Sequence, residues 1–206
     1  MGELFEIPIE LQSEQGTTLP IPDEISYYVL EKDRKIYLDT DVSVDVLAIQ
    51  RMILRWNMED NGVEPKDRKP IHLYIMSYGG NIDYMWSTID MIQSSETPIY
   101  TVNMGQADSA AALIFMAGQK RFMMPRAVVV IHEGSASMSG DSTKVLDASD
   151  SYRKDLKRMK EYILSRTQIP PRLLSKKRSN DWELDSTQCL EYNICDAVIG
   201  NLSEVI

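Results

Sequence analysis

The chain has 206 residues, 43% of them hydrophobic and 26% charged, with a formal net charge of −9 at pH 7. That length supports one domain with a sizeable core. The acidic balance excludes a nucleic-acid binder that works by replacing phosphate counterions. No run approaches the ~18 apolar residues that a membrane span needs.

Residues 1–25 read as an N-terminal arm, polar and interrupted by Gly16, Pro20 and Pro22, with a short extended piece at Phe5-Glu6-Ile7-Pro8-Ile9. The acidic start lacks the basic and apolar stretches of a signal peptide, and Glu6 stands where a myristoylation motif needs Ser or Thr, so the expected location is cytoplasmic. Residues 26–206 read as a single domain. Lys35–Leu38 predicts a strand. A helix follows from about Ser43, with Val46, Ile49, Ile53 and Trp56 as its apolar stripe and Asn61-Gly62 as its stop. Ile71–Met76 predicts a strand entering Ser77-Tyr78-Gly79-Gly80, and residues 82–94 a helix. Pro98–Val102 predicts the next strand, followed by an Ala-rich helix opened by Ser109. Arg121–Met124 and Ala127–Ile131 predict two strands split by Pro125. This alternation predicts an α/β fold of repeated βαβ units, a mostly parallel sheet with helices around it.

Thr143–Arg166 predicts a long, charged helix with an apolar stripe at Val145, Leu146, Tyr152, Leu156, Met159 and Ile163, stopped by Pro170-Pro171. A helix so long and polar either protrudes from the globule or lies along its surface. Asp185 and Gln188 form a capping-box pattern that opens a short last helix, and Ile194–Ile199 predicts a closing strand. Cys189 and Cys195 lack metal-site or redox spacing and read as free, buried thiols in a reducing compartment.

The chemistry centres on Ser109 and on His132, one of two histidines. A serine at a helix N-terminus lies where backbone N–H groups favour negative charge. A histidine ending a β-branched strand lies at an accessible rim, so the two are a candidate nucleophile and base. The plainer alternatives are a small packing serine and a core histidine. Gly79-Gly80 lets the backbone approach a ligand closely and offers an oxyanion donor. The third member is a carboxylate that fixes the imidazole tautomer, with Asp181, Asp185 and Asp196 as candidates. His72, beside Tyr74, is structural or part of a binding surface. No metal-ligand cluster and no phosphate loop is present, so no cofactor is expected.

Four blocks resemble the proteolytic subunit of the Clp protease (ClpP): Leu73–Gly80, Gly105-Gln106-Ala107-Asp108-Ser109, Pro125–His132 and Glu191-Tyr192-Asn193-Ile194-Cys195-Asp196. The resemblance spans residues 35–199. It implies a ClpP/crotonase-like fold with a protruding handle at about residues 134–167. It implies a serine endopeptidase in which Ser109 is nucleophile, His132 base and Asp181 the triad acid. Gly80 and Ala110 become the oxyanion donors, and Gly134, Ser135, Ala136, Ser137 and Met138 bind an extended polypeptide substrate. The partners it implies are further copies in stacked heptameric rings and an AAA+ unfoldase of the Clp type, docked at His72, Tyr74, Val102, Met104, Phe122 and Met124. Asp108, Tyr78 and Asn193 depart from the pattern, where it has a small residue, Pro and Gly. His72 and Ser94 stand where it has aromatic residues. For Asp108, capping the following helix is one expectation and disturbing His132 the other. A non-catalytic subunit of a mixed ring, and a crotonase-type acyl-CoA enzyme, are the alternative functions.

Overall fold

Strands β1 (Lys35–Leu38), β2 (Ile71–Ser77), β3 (Ile99–Asp108), β4 (Lys120–Met123) and β7 (Ala197–Val198) lie side by side in that order, all parallel. The structure, a computed structural model, describes residues 22–134, 137–177 and 180–205. Strand β2 is buried along nearly its whole length, as a parallel strand covered on both faces must be. The covering elements include α2 (Val46–Glu59), α3 (Ile82–Ser94) and α4 (Ala110–Ala117). Helix α2 buries the predicted stripe of Val46, Ile49, Ile53 and Trp56. Helix α3 is capped by Asn81, whose Oδ1 accepts from the Asp83 N–H at 2.7 Å and whose side chain thereby satisfies a helix-end donor. Helix α4 is buried on every side, which explains why its sequence is apolar throughout rather than striped.

Strand β3 continues well beyond the predicted Val102 and forks the sheet. Its first half pairs with β4 (Tyr100↔Lys120 to Asn103↔Met123), and its second half with β5 (Val128–Ile131; Gln106↔Val128 to Asp108↔Val130). The β2–β3 register slips between Ile75 and Ser77 at the same level. Asn103 pins the fork: buried, it donates through Nδ2 to the Val128 carbonyl at 2.8 Å and accepts from the Gly105 N–H at 3.1 Å. Among the described residues the one antiparallel pair in this sheet joins β5 to β6 (Trp182–Asp185), from Val128↔Asp185 to Ile131↔Trp182.

Helix α5 (Ser142–Arg166) buries Ile163 alone. Its C-terminal half is tied to α4: Tyr162 Oη donates to the Leu113 carbonyl, and Arg166 donates to the carbonyls of Met116 and Gly118, each at 2.8 Å. Those arginine bonds satisfy carbonyls at the end of α4. The first half of α5 is largely exposed, so the helix both protrudes and packs. Arg121 of β4 is buried and joins three segments. It is bidentate to Asp196, through Nη2 at 2.6 Å and Nε at 3.1 Å, and donates to the carbonyls of Arg166 and Asn193. Asn193 has φ of 53°, which an asparagine tolerates, and its Oδ1 accepts from Arg121. Cys189 and Cys195 are free and buried; burial pushes the Cys195 thiol up to about 11 and the Cys189 thiol up as well.

Several elements depart from expectation. Helix α1 (Pro22–Lys32) takes in the last residues assigned to the arm; its exposed Tyr27 and Val29 give it no clean stripe. The rest of the arm, with Phe5–Ile9, lies outside the described residues. Helix α5 ends at Arg166, before the two prolines expected to stop it, and helix α6 (Pro171–Lys177) opens on the second of them; β6 lies in a segment with one alternating pair, Trp182 and Leu184. The last helix, α7 (Ser186–Glu191), has the predicted Asp185–Gln188 capping box. The closing strand is confined to Ala197–Val198.

Candidate active site

Three adjacent strand ends carry the candidate triad. Ser109 follows the last residue of β3, His132 follows the last residue of β5, and Asp181 precedes the first residue of β6. The registers bring them together. Val130 pairs with Asp108, so the next residue of β3 is Ser109, whose N–H donates to the Val130 carbonyl at 2.8 Å. Ile131 pairs antiparallel with Trp182, so the next position of that ladder sets His132 opposite Asp181. His132 Nδ1 lies 3.0 Å from Asp181 Oδ1; the His132 side chain is 31% exposed and that of Asp181 79%. Of the three aspartates left open by the residue pattern, Asp185 caps α7 and Asp196 is held by Arg121.

Ser109 is the N-cap of α4, with φ of 54° and ψ of −120°. A non-glycine residue at positive φ costs about 1–3 kcal/mol and persists only when its surroundings over-determine it. Here β5 holds its N–H, and its carbonyl accepts from the Ala112 N–H at 3.1 Å. The turn lifts the side chain out of the strand and leaves Oγ without a hydrogen bond among the described residues. Gly79 and Gly80 close the other wall, at φ of 95° and 151°. A Cβ on Gly79 would meet the Asp108 carbonyl at 2.5 Å and Ser109 Cβ at 2.8 Å, while one on Gly80 would meet the Val42 carbonyl at 2.5 Å. Val42 clamps the turn by donating to the Gly79 carbonyl and accepting from the Asn81 N–H, each at 2.8 Å. Among the described residues neither Gly80 N–H nor Ala110 N–H is engaged in a backbone hydrogen bond outside the helices and strands, and both residues line the cleft. Gly79→Ala is therefore expected to displace Ser109. If it retains more than a tenth of wild-type peptide hydrolysis, this close packing does not position the site.

The cleft holds about 230 Å³ and is lined by Ser109, His132, Gly80, Ala110 and Gly134, with Ile82, Met85, Leu113 and Met159 forming its apolar side. Those four were not singled out as site residues. Met159 was visible on an apolar helical stripe, but periodicity does not say which surface a stripe meets. Tyr152 also lines the cleft and donates through Oη to the Glu133 carbonyl at 2.8 Å, anchoring the chain after His132. Ser135 and Ala136 of the expected substrate strand lie outside the described residues; Gly134 has φ of 76°, Ser137 is exposed and Met138 partly buried.

Asp108 corrects the capping expectation. It ends β3, its Oδ2 accepts from Gln106 Nε2 at 2.8 Å, and its buried Oδ1 has no partner. Helix α4 has no side-chain cap. Residues two apart on a strand share a face, so Asp108 stands on the same face as Gln106 and bonds it instead of capping α4. Tyr78, where the pattern has Pro, is 68% exposed at the mouth of the cleft.

The expected docking residues gather elsewhere, on β2, β3 and β4. Tyr74 and Val102 are buried with Ile199 and Val205, and Met104, Phe122, Met124 and Tyr37 pack against them. Helix α1 adds Tyr27, edge-on to Tyr37, which stacks on Tyr74 at 5.1 Å. His72 is buried beside the Tyr100 ring, and burial, aided by Lys35 and Lys69, lowers its pKa. Ser94 lies apart from this face, in a cavity with Arg68 and Glu96. Among the described residues no group of His, Cys, Asp or Glu is placed to hold a metal ion, and no helix is long and apolar enough to cross a membrane.

A forked, mostly parallel α/β sheet with Ser, His and Asp at three neighbouring strand ends defines a class in which loops and strand ends carry the chemistry. The chain belongs to the Clp protease family, a family of proteases, whose model matches residues 23–202. It is 31% identical over 138 residues to the ATP-dependent Clp protease proteolytic subunit 2 of Treponema pallidum (strain Nichols), covering 66% of this chain and 67% of that protein. It is 29% identical over 143 residues to the protein of the same name from Treponema denticola, covering 66% and 70%.

Proposed function

We propose that this chain is a serine endopeptidase, the proteolytic core subunit of a Clp-type protease, acting through Ser109, His132 and Asp181. The observation that carries the reading is the convergence of the three residues at adjacent strand ends, with His132 Nδ1 3.0 Å from Asp181 Oδ1. With Nδ1–H directed at Asp181, Nε2 is the acceptor nitrogen. It takes the Ser109 hydroxyl proton as Oγ attacks the scissile carbonyl carbon. The carbonyl oxygen becomes an oxyanion facing the N–H groups of Gly80 and Ala110. Collapse of that intermediate breaks the C–N bond, and His132 returns its proton to the leaving amine. Water then repeats the sequence on the acyl-enzyme and frees Ser109. Ile82, Met85, Leu113 and Met159 suit an apolar substrate side chain, and the family resemblance assigns residues 134–138 to an extended polypeptide substrate, which main-chain hydrogen bonds would hold.

Family membership supports the rest of the reading: stacked heptameric rings of this chain enclosing the sites, fed by an AAA+ unfoldase docked on the Tyr74, Val102, Phe122 and Met124 face, in the cytoplasm and without a cofactor. The test is a fluorophosphonate probe followed by peptide mapping. A covalent adduct on Ser109 is expected; an adduct elsewhere, or none at a concentration that labels a control serine hydrolase, rejects it. The alternative of a non-catalytic ring subunit draws on the free Ser109 Oγ and on Asp108. Peptide hydrolysis by the purified chain alone removes it.

A further inference from the structure

Tyr152 belongs to the largely exposed half of α5, yet its own side chain is partly buried and lines the cleft. Its Oη donates to the Glu133 carbonyl at 2.8 Å, one residue past the histidine. Burial, then Glu133 and Asp155, raise this phenol above its usual 10, so it remains a donor through the neutral range.

The bond has a directional consequence. The Glu133 carbonyl and the Gly134 N–H belong to one peptide group, and no peptide among the described residues is cis. In a planar trans peptide those two groups point in opposite directions. Tyr152 therefore draws the carbonyl toward α5 and turns the Gly134 N–H away from it. Gly134 lines the cleft and makes no hydrogen bond among the described residues. Its φ of 76° lies in the left-handed region that glycine adopts freely. A Cβ there would meet Tyr152 Oη at 3.5 Å, an ordinary contact, so the backbone angle asks for glycine and space does not.

The hydroxyl comes from a fixed frame. The Arg158 guanidinium of α5 lies 4.0 Å over the Trp86 ring of α3. Tyr162 bonds the Leu113 carbonyl of α4, and Arg166 bonds the carbonyls at the end of α4. Tyr152 stands about 15 Å before Tyr162 along the same helix. Helix α4 has Ser109 as its N-cap. The peptide after His132 is thus registered, through α5 and α4, to the helix that begins at the proposed nucleophile.

We propose that Tyr152 is a positioning residue for the substrate: by holding the Glu133 carbonyl it fixes the 133–134 peptide so that the Gly134 N–H meets a main-chain carbonyl of an extended polypeptide in the cleft. This rests on the reading of Ser109 as nucleophile and of the cleft as the peptide site. A main-chain N–H with no internal partner is the group that an added strand engages. Held in place beforehand, it needs no ordering when the substrate arrives. Tyr152 does not touch the reacting atoms. Its contribution is independent of substrate side chains, and it grows with the length of peptide main chain that the cleft receives.

The test compares wild type with Tyr152→Phe, which loses the hydroxyl and keeps the ring. Three readouts are taken: hydrolysis of fluorogenic peptides with one, three and five residues before the scissile bond, the rate of fluorophosphonate labelling at Ser109, and Tm. For the longest peptide kcat/KM is expected to fall about fivefold, the effect of one hydrogen bond. The loss falls on KM, because bound substrate and transition state use the contact equally. For the shortest peptide the loss stays under twofold, and labelling by the small probe keeps its wild-type rate. An equal loss at every length, a slowed labelling rate, or no loss for the longest peptide overturns the proposal. Tyr152→Leu also lacks the donor and is expected to flatten the length dependence in the same way. Wild-type length dependence in either folded variant overturns it again. Absence of labelling in the wild type is a separate result: it rejects Ser109 as nucleophile, and this role of Tyr152 with it.

Discussion

Ser109→Ala is expected to lower peptide kcat/KM by about 10⁴-fold or more while leaving assembly and melting temperature at wild-type values. The magnitude is that of removing a nucleophile whose partners act with it as a unit. The unchanged stability follows from local structure. Ser109 Oγ makes no hydrogen bond among the described residues, and alanine at φ of 54° bears the same backbone strain as serine. His132→Ala is expected to cost about as much, because neither residue works without the other. Asp181→Asn is expected to cost less, since 79% of its side chain is in water and its charge is correspondingly screened. Hydrolysis by Ser109→Ala within tenfold of wild type sinks the assignment.

Arg121→Ala is expected to destabilise the fold by about 3 kcal/mol, the low end of the cost of removing one partner from a buried ion pair, because the Asp196 side chain is 38% exposed. The arginine is 5% exposed, and its loss takes the guanidinium from Asp196 and the donor from the carbonyls of Asn193 and Arg166, while the residue-121 N–H still donates to Asp196 Oδ2 at 2.7 Å. For a chain of this size each 1 kcal/mol moves Tm by about 2–4 °C, so a fall of roughly 10 °C is expected by calorimetry. A change under 2 °C contradicts the account. The pH dependence has a definite sign. Burial alone would raise the Asp196 carboxyl, but the Arg121 guanidinium overrides it and holds the pKa below 3.8. A folded pKa below the unfolded one contributes stability that is present above the unfolded value and lost as pH falls through the folded one. The gap between wild type and Arg121→Ala should therefore narrow on acidification.

The alternation of strands and helices from Lys35 to Ile131 was legible in residue order because each element has its own period and its own stop. Val46, Ile49, Ile53 and Trp56 repeat as a helix stripe, and the apolar run of Ile71–Met76 reads as a buried strand. Helix α1, helix α6 and strand β6 were not legible. Each is short, and each is held by what it packs on or pairs with rather than by its own pattern. The fork in β3 was equally silent. It depends on the buried Asn103 bonding Val128, 25 residues away in the chain, and no local signal marks a side chain that will cap another strand.

The residue types of the site were readable one at a time: a serine at a helix start, a histidine at a strand end, two glycines after a strand, and three candidate aspartates. Their meeting was decided in three dimensions. The parallel register of Asp108 with Val130 and the antiparallel register of Ile131 with Trp182 set the three positions side by side, and a slip of one residue in either ladder would turn every side chain to the other face. Sequence by itself determined the alternating α/β pattern, the acidic balance and the chemical groups on offer, because propensity, periodicity and charge are local properties. The residue pattern left three aspartates open and the family resemblance pointed to Asp181; only the tertiary structure set that residue 3.0 Å from His132 and left Asp108 half-buried along the sheet rather than capping the helix. Both depend on strand pairing between segments far apart in the chain.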